Sequence, residues 1–276
     1  MNQMNFYNKT CDEMSVVLTH RYSTSFSLGI KLFDKKLRNP ICSVYGFVRL
    51  ADEIVDTFHH IDQAKYLERI KNETKEAIEK GFSLNTVLHS FAQTVREYNI
   101  EWNLIESFLH SMEMDLHFKT FNEEEYKKYI YGSAEVVGLF CLKIFCKNEK
   151  VNYNDLAPYA MKLGSAFQKI NFLRDIKSDY KERGRIYFPG LNLDEFAIDK
   201  KIQIESDIEK DFQDGLKGIT SLPNNCKSGV KLAYRYYYAL FNKIKKVSPQ
   251  ELLAGRIRIV NARKFYILCK EMLRIS

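Results

Sequence analysis

The sequence is poor in helix-breaking residues, with 5 prolines and 12 glycines among 276 residues. It also lacks Ser/Gly-rich linkers, and few of its stretches alternate polar and apolar residues for long. Half-buried strands show that alternation, so its scarcity argues against a fold rich in sheet. Apolar residues recur instead at spacings of three and four, which is the pattern of helices with a buried face. We therefore expect an all-α protein, with residues 1–276 forming a single domain.

Further absences exclude several classes of protein. None of the six cysteines forms a CxxC pair, which predicts free thiols in a reducing cytoplasm rather than a disulfide framework. The N-terminal stretch contains no apolar signal core. The longest apolar run, about Val136–Cys146, is shorter than the roughly 20 residues that span a bilayer. We expect a cytoplasmic location, with any membrane contact peripheral and at the inner membrane face.

The apolar periodicity, with breaks at residues such as Pro40, Gly81 and Pro223, predicts ten helices. They cover residues 5–21, 39–58, 62–80, 84–98, 101–118, 123–147, 152–182, 203–220, 226–246 and 249–273. Several of these helices have broad apolar faces, which indicates that they lie at the centre of the domain.

The formal net charge of +7 suits an anionic substrate, an anionic membrane surface or a nucleic acid. The lysines and arginines are dispersed along the chain and match no nucleic-acid-binding motif. We therefore expect no nucleic-acid partner, and we assign part of the charge to a substrate or to a peripheral membrane surface. The sequence predicts no particular oligomeric state.

Two aspartate pairs carry the clearest chemical signal. Asp52 and Asp56, like Asp175 and Asp179, are four residues apart and follow a mostly apolar stretch. On a helix each pair lies on one face, where like charges repel by a few tenths of a kcal/mol. Carboxylates in apolar surroundings are costly unless a cation compensates them, so both pairs indicate a bound cation.

The spacing alone is not specific. Asp207 and Asp211 have the same spacing within the charged stretch IESDIEKDFQD, and we expect that pair to be a solvated face without function. The two apolar pairs differ from it in a second respect, because each has an arginine just upstream, Arg49 or Arg174.

Carboxylates without histidine or cysteine ligands favour a hard ion such as Mg²⁺, with Mn²⁺ as the alternative, and Mg²⁺ prefers to share its shell with substrate phosphates. Asn171 would add a neutral oxygen. Arg49, Arg174 and Arg185 would bind phosphate oxygens, although local ion pairs or a helix end would also explain them. A diphosphate held in this way becomes a leaving group, and the carbocation that it leaves needs a dry, aromatic-lined pocket. The 19 phenylalanines and 17 tyrosines fit that requirement.

The sequence resembles the squalene/phytoene synthase family of head-to-head prenyl synthases. Four stretches carry the resemblance, in family order: YSTSFSLGI (22–30), YGFVRLADEIVD (45–56), YGSAEVVG (131–138) and FQKINFLRDIKSDYKERGRIYFP (167–189). The C-terminal third matches more loosely, through AYRYYYAL (233–240) and RIRIVNARK (256–264).

The resemblance implies an isoprenoid synthase fold around a central cavity. It places the metal ligands at Asp52, Asp56, Asn171, Asp175 and Asp179. It places the catalytic tyrosines at Tyr45 and Tyr131 and the substrate-binding residues at Ser23, Ser25, Phe26, Arg49, Gln168, Arg174, Arg185, Tyr236 and Arg256. Tyr237 and Tyr238 compete with Tyr236 for its position, as Arg258 and Arg263 do with Arg256.

The family reaction joins two prenyl diphosphates through a cyclopropylcarbinyl diphosphate. The resemblance is strongest to bacterial phytoene synthases, which implies two geranylgeranyl diphosphates as substrates and no use of NADPH. A squalene, dehydrosqualene or presqualene diphosphate synthase acting on farnesyl diphosphate is the alternative. A non-catalytic helical scaffold of the same fold would have degraded aspartate motifs, and here all four aspartates are present.

Overall fold

The computed structural model describes residues 3–259, which form twelve α-helices and contain no strand. The helices are α1 (Gln3–Tyr22), α2 (Thr24–Ile30), α3 (Lys35–Asp56), α4 (Gln63–Lys80), α5 (Thr86–Tyr98), α6 (Trp102–His117), α7 (Glu123–Ile130), α8 (Val136–Cys146), α9 (Tyr153–Arg183), α10 (Ile198–Ser221), α11 (Asn224–Ile244) and α12 (Pro249–Ala254). A π-helical turn, Tyr131–Glu135, joins α7 to α8. The predicted all-α architecture is confirmed for these residues.

Helix α9, with 31 residues, lies at the centre of the bundle and contacts α8, α10, α11 and α12. Its contact with α8 depends on glycine. A Cβ atom on Gly164 would lie 2.5 Å from the carbonyl oxygen of Ala134, and one on Gly138 would lie 2.7 Å from that of Ala160. The missing side chains let the backbones approach, which brings α9 close to the wall formed by the π-helical turn.

Helix α9 ends immediately after its aspartate pair. Gly184 adopts the left-handed conformation with φ of 66° and closes the helix. The backbone N–H of Gly184 donates to the carbonyl of Tyr180 at 3.0 Å. The backbone N–H of Arg185 donates to the carbonyl of Asp179 at 2.8 Å. This cap reverses the chain direction and fixes the residues beyond the helix against α3 and α6.

The structure differs from the predicted helices in several places. Helix α2 was not predicted, because only seven residues leave little periodicity to detect. Helix α3 passes through Pro40 instead of starting beside it. The predicted helix at 249–273 is wrong for residues 255–259, since α12 ends at Ala254 and Gly255 is extended, and residues 260–273 lie outside the described part.

One continuous helical stretch, Glu123–Cys146, is long and apolar enough to cross a membrane by length and composition, among the residues that the structure describes. Within its most apolar window, 56% of the residues are buried inside the bundle. That burial is typical of the core helix of a globular protein. The sequence alone had predicted a shorter apolar segment, about Val136–Cys146, which is the C-terminal part of this stretch.

Candidate active site

A cavity of about 660 Å³ lies among α2, α3, α8, α9, α10 and α11, a volume within the usual range of about 300–1,000 Å³ for small-molecule sites. Asp52, Asp56, Asp175 and Asp179 line one part of it. The rest is walled mostly by apolar and aromatic residues, including Phe33, Val44, Val137, Leu142, Phe145, Leu156, Leu163, Phe167, Ile219 and Val230. The cavity therefore combines an acidic end with a long apolar interior.

The two aspartate pairs face each other across the cavity. Arg183 joins them, because its Nη1 is 3.0 Å from Asp179 Oδ1 and its Nε is 3.5 Å from Asp56 Oδ1. Arg185 also holds Asp56, donating from Nη1 to Oδ1 at 2.7 Å. The end of α3 and the end of α9 are thus connected by two arginines, Arg183 in the last turn of α9 and Arg185 just after it.

Two carboxyl groups at this end have raised pKa values. Burial, followed by repulsion from Asp56, raises the pKa of Asp52 to about 7, and Arg49 opposes the shift. Burial, followed by repulsion from Asp175, raises the pKa of Asp179 to about 7 against the effect of Arg183. About a third of the Asp52 side chain is exposed, and it faces the confined cavity. Both shifts indicate a place for an additional cation.

Two arginines hold the remaining carboxylate, Asp175. Arg174 donates from Nε to Oδ1 at 3.0 Å, and Arg256, from the segment after α12, lies with Nε 2.7 Å from the same oxygen. A second contact joins Arg256 Nη2 to Oδ2 at 3.3 Å. Both guanidinium groups line the cavity, so they can also meet an anion bound there.

The donor set suits a divalent metal ion. Asn171 lines the cavity, and its buried Oδ1 atom has no hydrogen-bond partner. A free amide oxygen beside carboxylates of raised pKa matches the oxygen ligands that Mg²⁺ prefers. In the described part of the chain, no three His, Cys, Asp or Glu side chains converge as a preformed metal site. Ligands shared with a substrate phosphate would complete such a site.

Most of the predicted site residues line this cavity. They are Ser23, Phe26, Tyr45, Arg49, Asp52, Asp56, Gln168, Asn171, Arg174, Asp175, Asp179, Tyr236 and Arg256. Tyr237 lines it as well, whereas the hydroxyl of Tyr238 donates to Glu209 at 2.8 Å. The side chain of Ser25, and Arg263, lie outside the described residues.

Two predicted site residues do not line the cavity. Tyr131 is absent from the cavity wall, and Tyr129, two residues earlier, lines it instead. Positions two residues apart on a helix differ by about 200° around its axis, so Tyr129 and Tyr131 point to opposite faces. The motif alone did not identify which of the two faces the cavity. Arg185 is 5% exposed and is held between Asp56 and Asp115 rather than in the cavity wall.

Three further cavity residues, Asp115, Tyr187 and Tyr22, were not predicted from sequence. Asp115, on the buried face of α6, accepts hydrogen bonds from the hydroxyls of Tyr129 at 2.7 Å and Tyr187 at 3.0 Å. The helical spacing of Asp115 from buried Phe108 and Met112 could have placed it on that face. Tyr22 lies under Arg49, with the guanidinium carbon 4.4 Å from the ring centroid.

The expectation of a solvated pair at Asp207 and Asp211 is wrong for Asp211, whose side chain is 2% exposed. Asp211 accepts from Lys169 Nζ at 2.7 Å and from Ser165 Oγ at 2.6 Å, both on α9. This contact ties α10 to the side of α9 that faces away from the cavity. Asp207 remains 57% exposed, as expected.

Comparison with known proteins assigns this architecture. The model of the family described as squalene/phytoene synthase matches residues 19–263. The chain is 28% identical over 192 residues to a 4,4'-diapophytoene synthase of Staphylococcus haemolyticus (strain JCSC1435), which covers 67% of this chain and 65% of the relative. It is 30% identical over 198 residues to a phytoene synthase of Arthrospira platensis, covering 67% and 62%. The chain thus spans just under two thirds of the length of these relatives.

The fold agrees with these matches. The crystal structure of a dehydrosqualene synthase in complex with a ligand superposes with a TM-score of 0.81, at 18% identity, over 97% of both chains. This likeness confirms the predicted isoprenoid synthase fold, in one helical domain around a cavity. The family match extends over most of the chain and includes both aspartate pairs. The chain belongs to the squalene/phytoene synthase family.

Proposed function

We propose that the protein condenses two molecules of geranylgeranyl diphosphate head to head, through a cyclopropylcarbinyl diphosphate, to phytoene, with release of two diphosphates and two protons. The observation that carries this proposal is the two-part cavity, acidic and arginine-bearing at one end and apolar beyond it. A diphosphate head and a long hydrocarbon tail match these two parts. Similarity to the phytoene synthase of Arthrospira platensis supports the choice of substrate.

The chain's own groups have separate tasks in this reaction. Arg49, Arg174 and Arg256 bind the diphosphate oxygens, which are anionic and accept charge-assisted hydrogen bonds. The predicted Mg²⁺, or Mn²⁺, would be held by Asp52, Asp56, Asn171, Asp175 and Asp179. When bound, it withdraws electron density from the departing diphosphate and so favours ionisation.

The apolar interior protects the carbocation that ionisation creates. Phe26 stacks on Tyr45 with ring centroids 5.1 Å apart, and Phe167 stacks on Tyr237 at 4.0 Å. All four rings line the cavity, where aromatic faces stabilise a cation and the surrounding side chains exclude water. Loss of a proton completes the reaction, so we expect no requirement for NADPH.

Two molecules of farnesyl diphosphate are the second candidate substrate. The similarity to a 4,4'-diapophytoene synthase and the fold shared with a dehydrosqualene synthase favour it. For either substrate, we propose that the protein acts in the cytoplasm and contacts the inner membrane face peripherally, because a hydrocarbon product partitions into lipid.

Product analysis tests the proposal. The purified protein is incubated with Mg²⁺ and farnesyl or geranylgeranyl diphosphate, with and without NADPH, and the extract is analysed by mass spectrometry. We expect phytoene from geranylgeranyl diphosphate alone. Squalene that depends on NADPH would contradict the reaction, and a C30 hydrocarbon as the main product would establish the second candidate.

A matched pair of variants tests the roles of the residues. Asp175→Asn should abolish turnover, because it removes a carboxylate charge from the acidic end. Asp194→Asn, which changes an exposed aspartate outside the cavity, should leave turnover unchanged. Full activity of Asp175→Asn would exclude a metal-dependent ionisation at this end.

A further inference from the structure

Asp115 lies beside the acidic end of the cavity and has three partners there. Its Oδ2 accepts from the hydroxyl of Tyr129 at 2.7 Å, and its Oδ1 accepts from that of Tyr187 at 3.0 Å. The same Oδ1 is 3.6 Å from Nη1 of Arg185. These contacts join α6 and α7 to the segment that follows α9.

Arg185 continues this connection to α3. Its Nη1 donates to Asp56 Oδ1 at 2.7 Å, and its Nη2 donates to the carbonyl of Val55 at 3.3 Å. Its Nη1 also lies 3.4 Å from the Tyr187 hydroxyl. A guanidinium group is planar and rigid, so a partner on one side fixes the direction in which the other nitrogens point.

We propose that Asp115 is a positioning residue for the first aspartate pair: it shares the charge of Arg185 and fixes its orientation, so that Asp56 stays available to a metal ion. The proposal rests on the proposed function, which assigns the metal to this end of the cavity. Without Asp115, more of the charge of Arg185 falls on Asp56, and Arg185 competes with the metal for that carboxylate. Partners that orient ligands in this way typically change metal affinity by about 10–100-fold.

A purely structural role is the competing explanation. Asp115 is 5% exposed, and its tyrosine partners are buried, so it also contributes to packing between helices. A structural role predicts that variants lose thermal stability and activity together. A positioning role predicts that metal affinity falls in a variant that remains folded, and that excess metal restores turnover.

The test measures Mn²⁺ binding by electron paramagnetic resonance, with inorganic diphosphate and without prenyl substrate. Asp115→Asn keeps the shape and removes the charge, and we expect Mn²⁺ to bind about 10–100-fold more weakly. Turnover should recover to near the native value at saturating Mg²⁺. Unchanged Mn²⁺ affinity in the folded variant would overturn the proposal, as would native protein that binds no Mn²⁺.

Two phenylalanine variants separate orientation from charge. Tyr187→Phe removes a hydroxyl that contacts both Asp115 and Arg185, while its ring, stacked on Phe172 at 4.1 Å, stays in place. It should weaken Mn²⁺ binding by about threefold to tenfold, the size of effect expected for one ordinary hydrogen bond. Tyr126→Phe, which removes a buried hydroxyl without a partner and outside the cavity wall, is the matched control.

The outcomes also separate this proposal from the proposed function. If native protein binds Mn²⁺ and the variants behave as expected, but no prenyl diphosphate is consumed, the function fails and the positioning role holds. If hydrocarbon forms and Tyr187→Phe and Asp115→Asn bind Mn²⁺ like the native protein, the function holds and the positioning role fails.

Discussion

Metal binding at the acidic end is expected to weaken steeply as the pH falls from 8 to 6. Asp52 and Asp179 each have a pKa raised to about 7, mainly by burial and then by the neighbouring aspartate. A carboxyl group of that pKa is roughly one tenth protonated at pH 8 and nine tenths at pH 6, so each group that must lose its proton lowers the apparent metal affinity about tenfold. The two together predict a loss of about a hundredfold.

The same shifts act in the opposite direction on the metal-free protein. Because both folded-state pKa values lie above the ordinary value of 3.8, protonation stabilises the folded state. That stabilisation is complete below about pH 4 and is lost as the pH rises through 7. Added Mg²⁺ should therefore raise the melting temperature more at pH 8 than at pH 6.

Titration with Mn²⁺ and inorganic diphosphate, followed by electron paramagnetic resonance between pH 6 and 8, measures the effect. Asp52→Asn removes one of the two groups and should reduce the pH dependence to about tenfold. Asp194→Asn, at the surface, should retain the full dependence. An Mn²⁺ affinity that is constant across this range would refute the reasoning, because it would show that neither carboxyl group titrates against the metal.

Three further predictions concern single side chains. Asn171→Ala should change the melting temperature of the metal-free protein little, because the Oδ1 atom has no partner and only the long 3.3 Å hydrogen bond from Nδ2 to Gln168 is lost. It should raise the Mg²⁺ concentration needed for half-maximal turnover about tenfold or more. Asp211→Asn should destabilise the fold by about 1.5–3 kcal/mol in urea unfolding, because it removes the buried carboxylate that pairs with Lys169 and leaves only the exposed partner Asp207. Asp207→Asn, at the exposed position, should cost less than about 1 kcal/mol. Gly164→Ala should cost about 1–3 kcal/mol in the same assay, because its Cβ would meet a carbonyl oxygen at 2.5 Å. Equal stability of the two aspartate variants, or a neutral Gly164→Ala, would contradict the packing described for α9.

The local sequence determined most of the helices and the chemical character of the site. Apolar periodicity located the helix that carries Asp52 and Asp56 and the one that carries Asp175 and Asp179. A helix that buries one face repeats apolar residues every three or four positions, and this repeat is visible in the sequence. The aspartate pairs in apolar stretches predicted a bound cation, because carboxylates in apolar surroundings are costly unless a cation compensates them. Both inferences depend only on residues within about two helical turns of one another.

The tertiary structure decided which side chains meet. Only packing showed that Tyr129 rather than Tyr131 faces the cavity, that Arg185 is buried between Asp56 and Asp115, and that Asp211 is paired with Lys169. Each of these arrangements depends on segments that are distant in the sequence, and the spacing within one helix carries no information about the distance to another segment. The chemistry of the acidic end is therefore readable in the sequence, whereas its geometry exists only once α3, α6 and α9 are assembled.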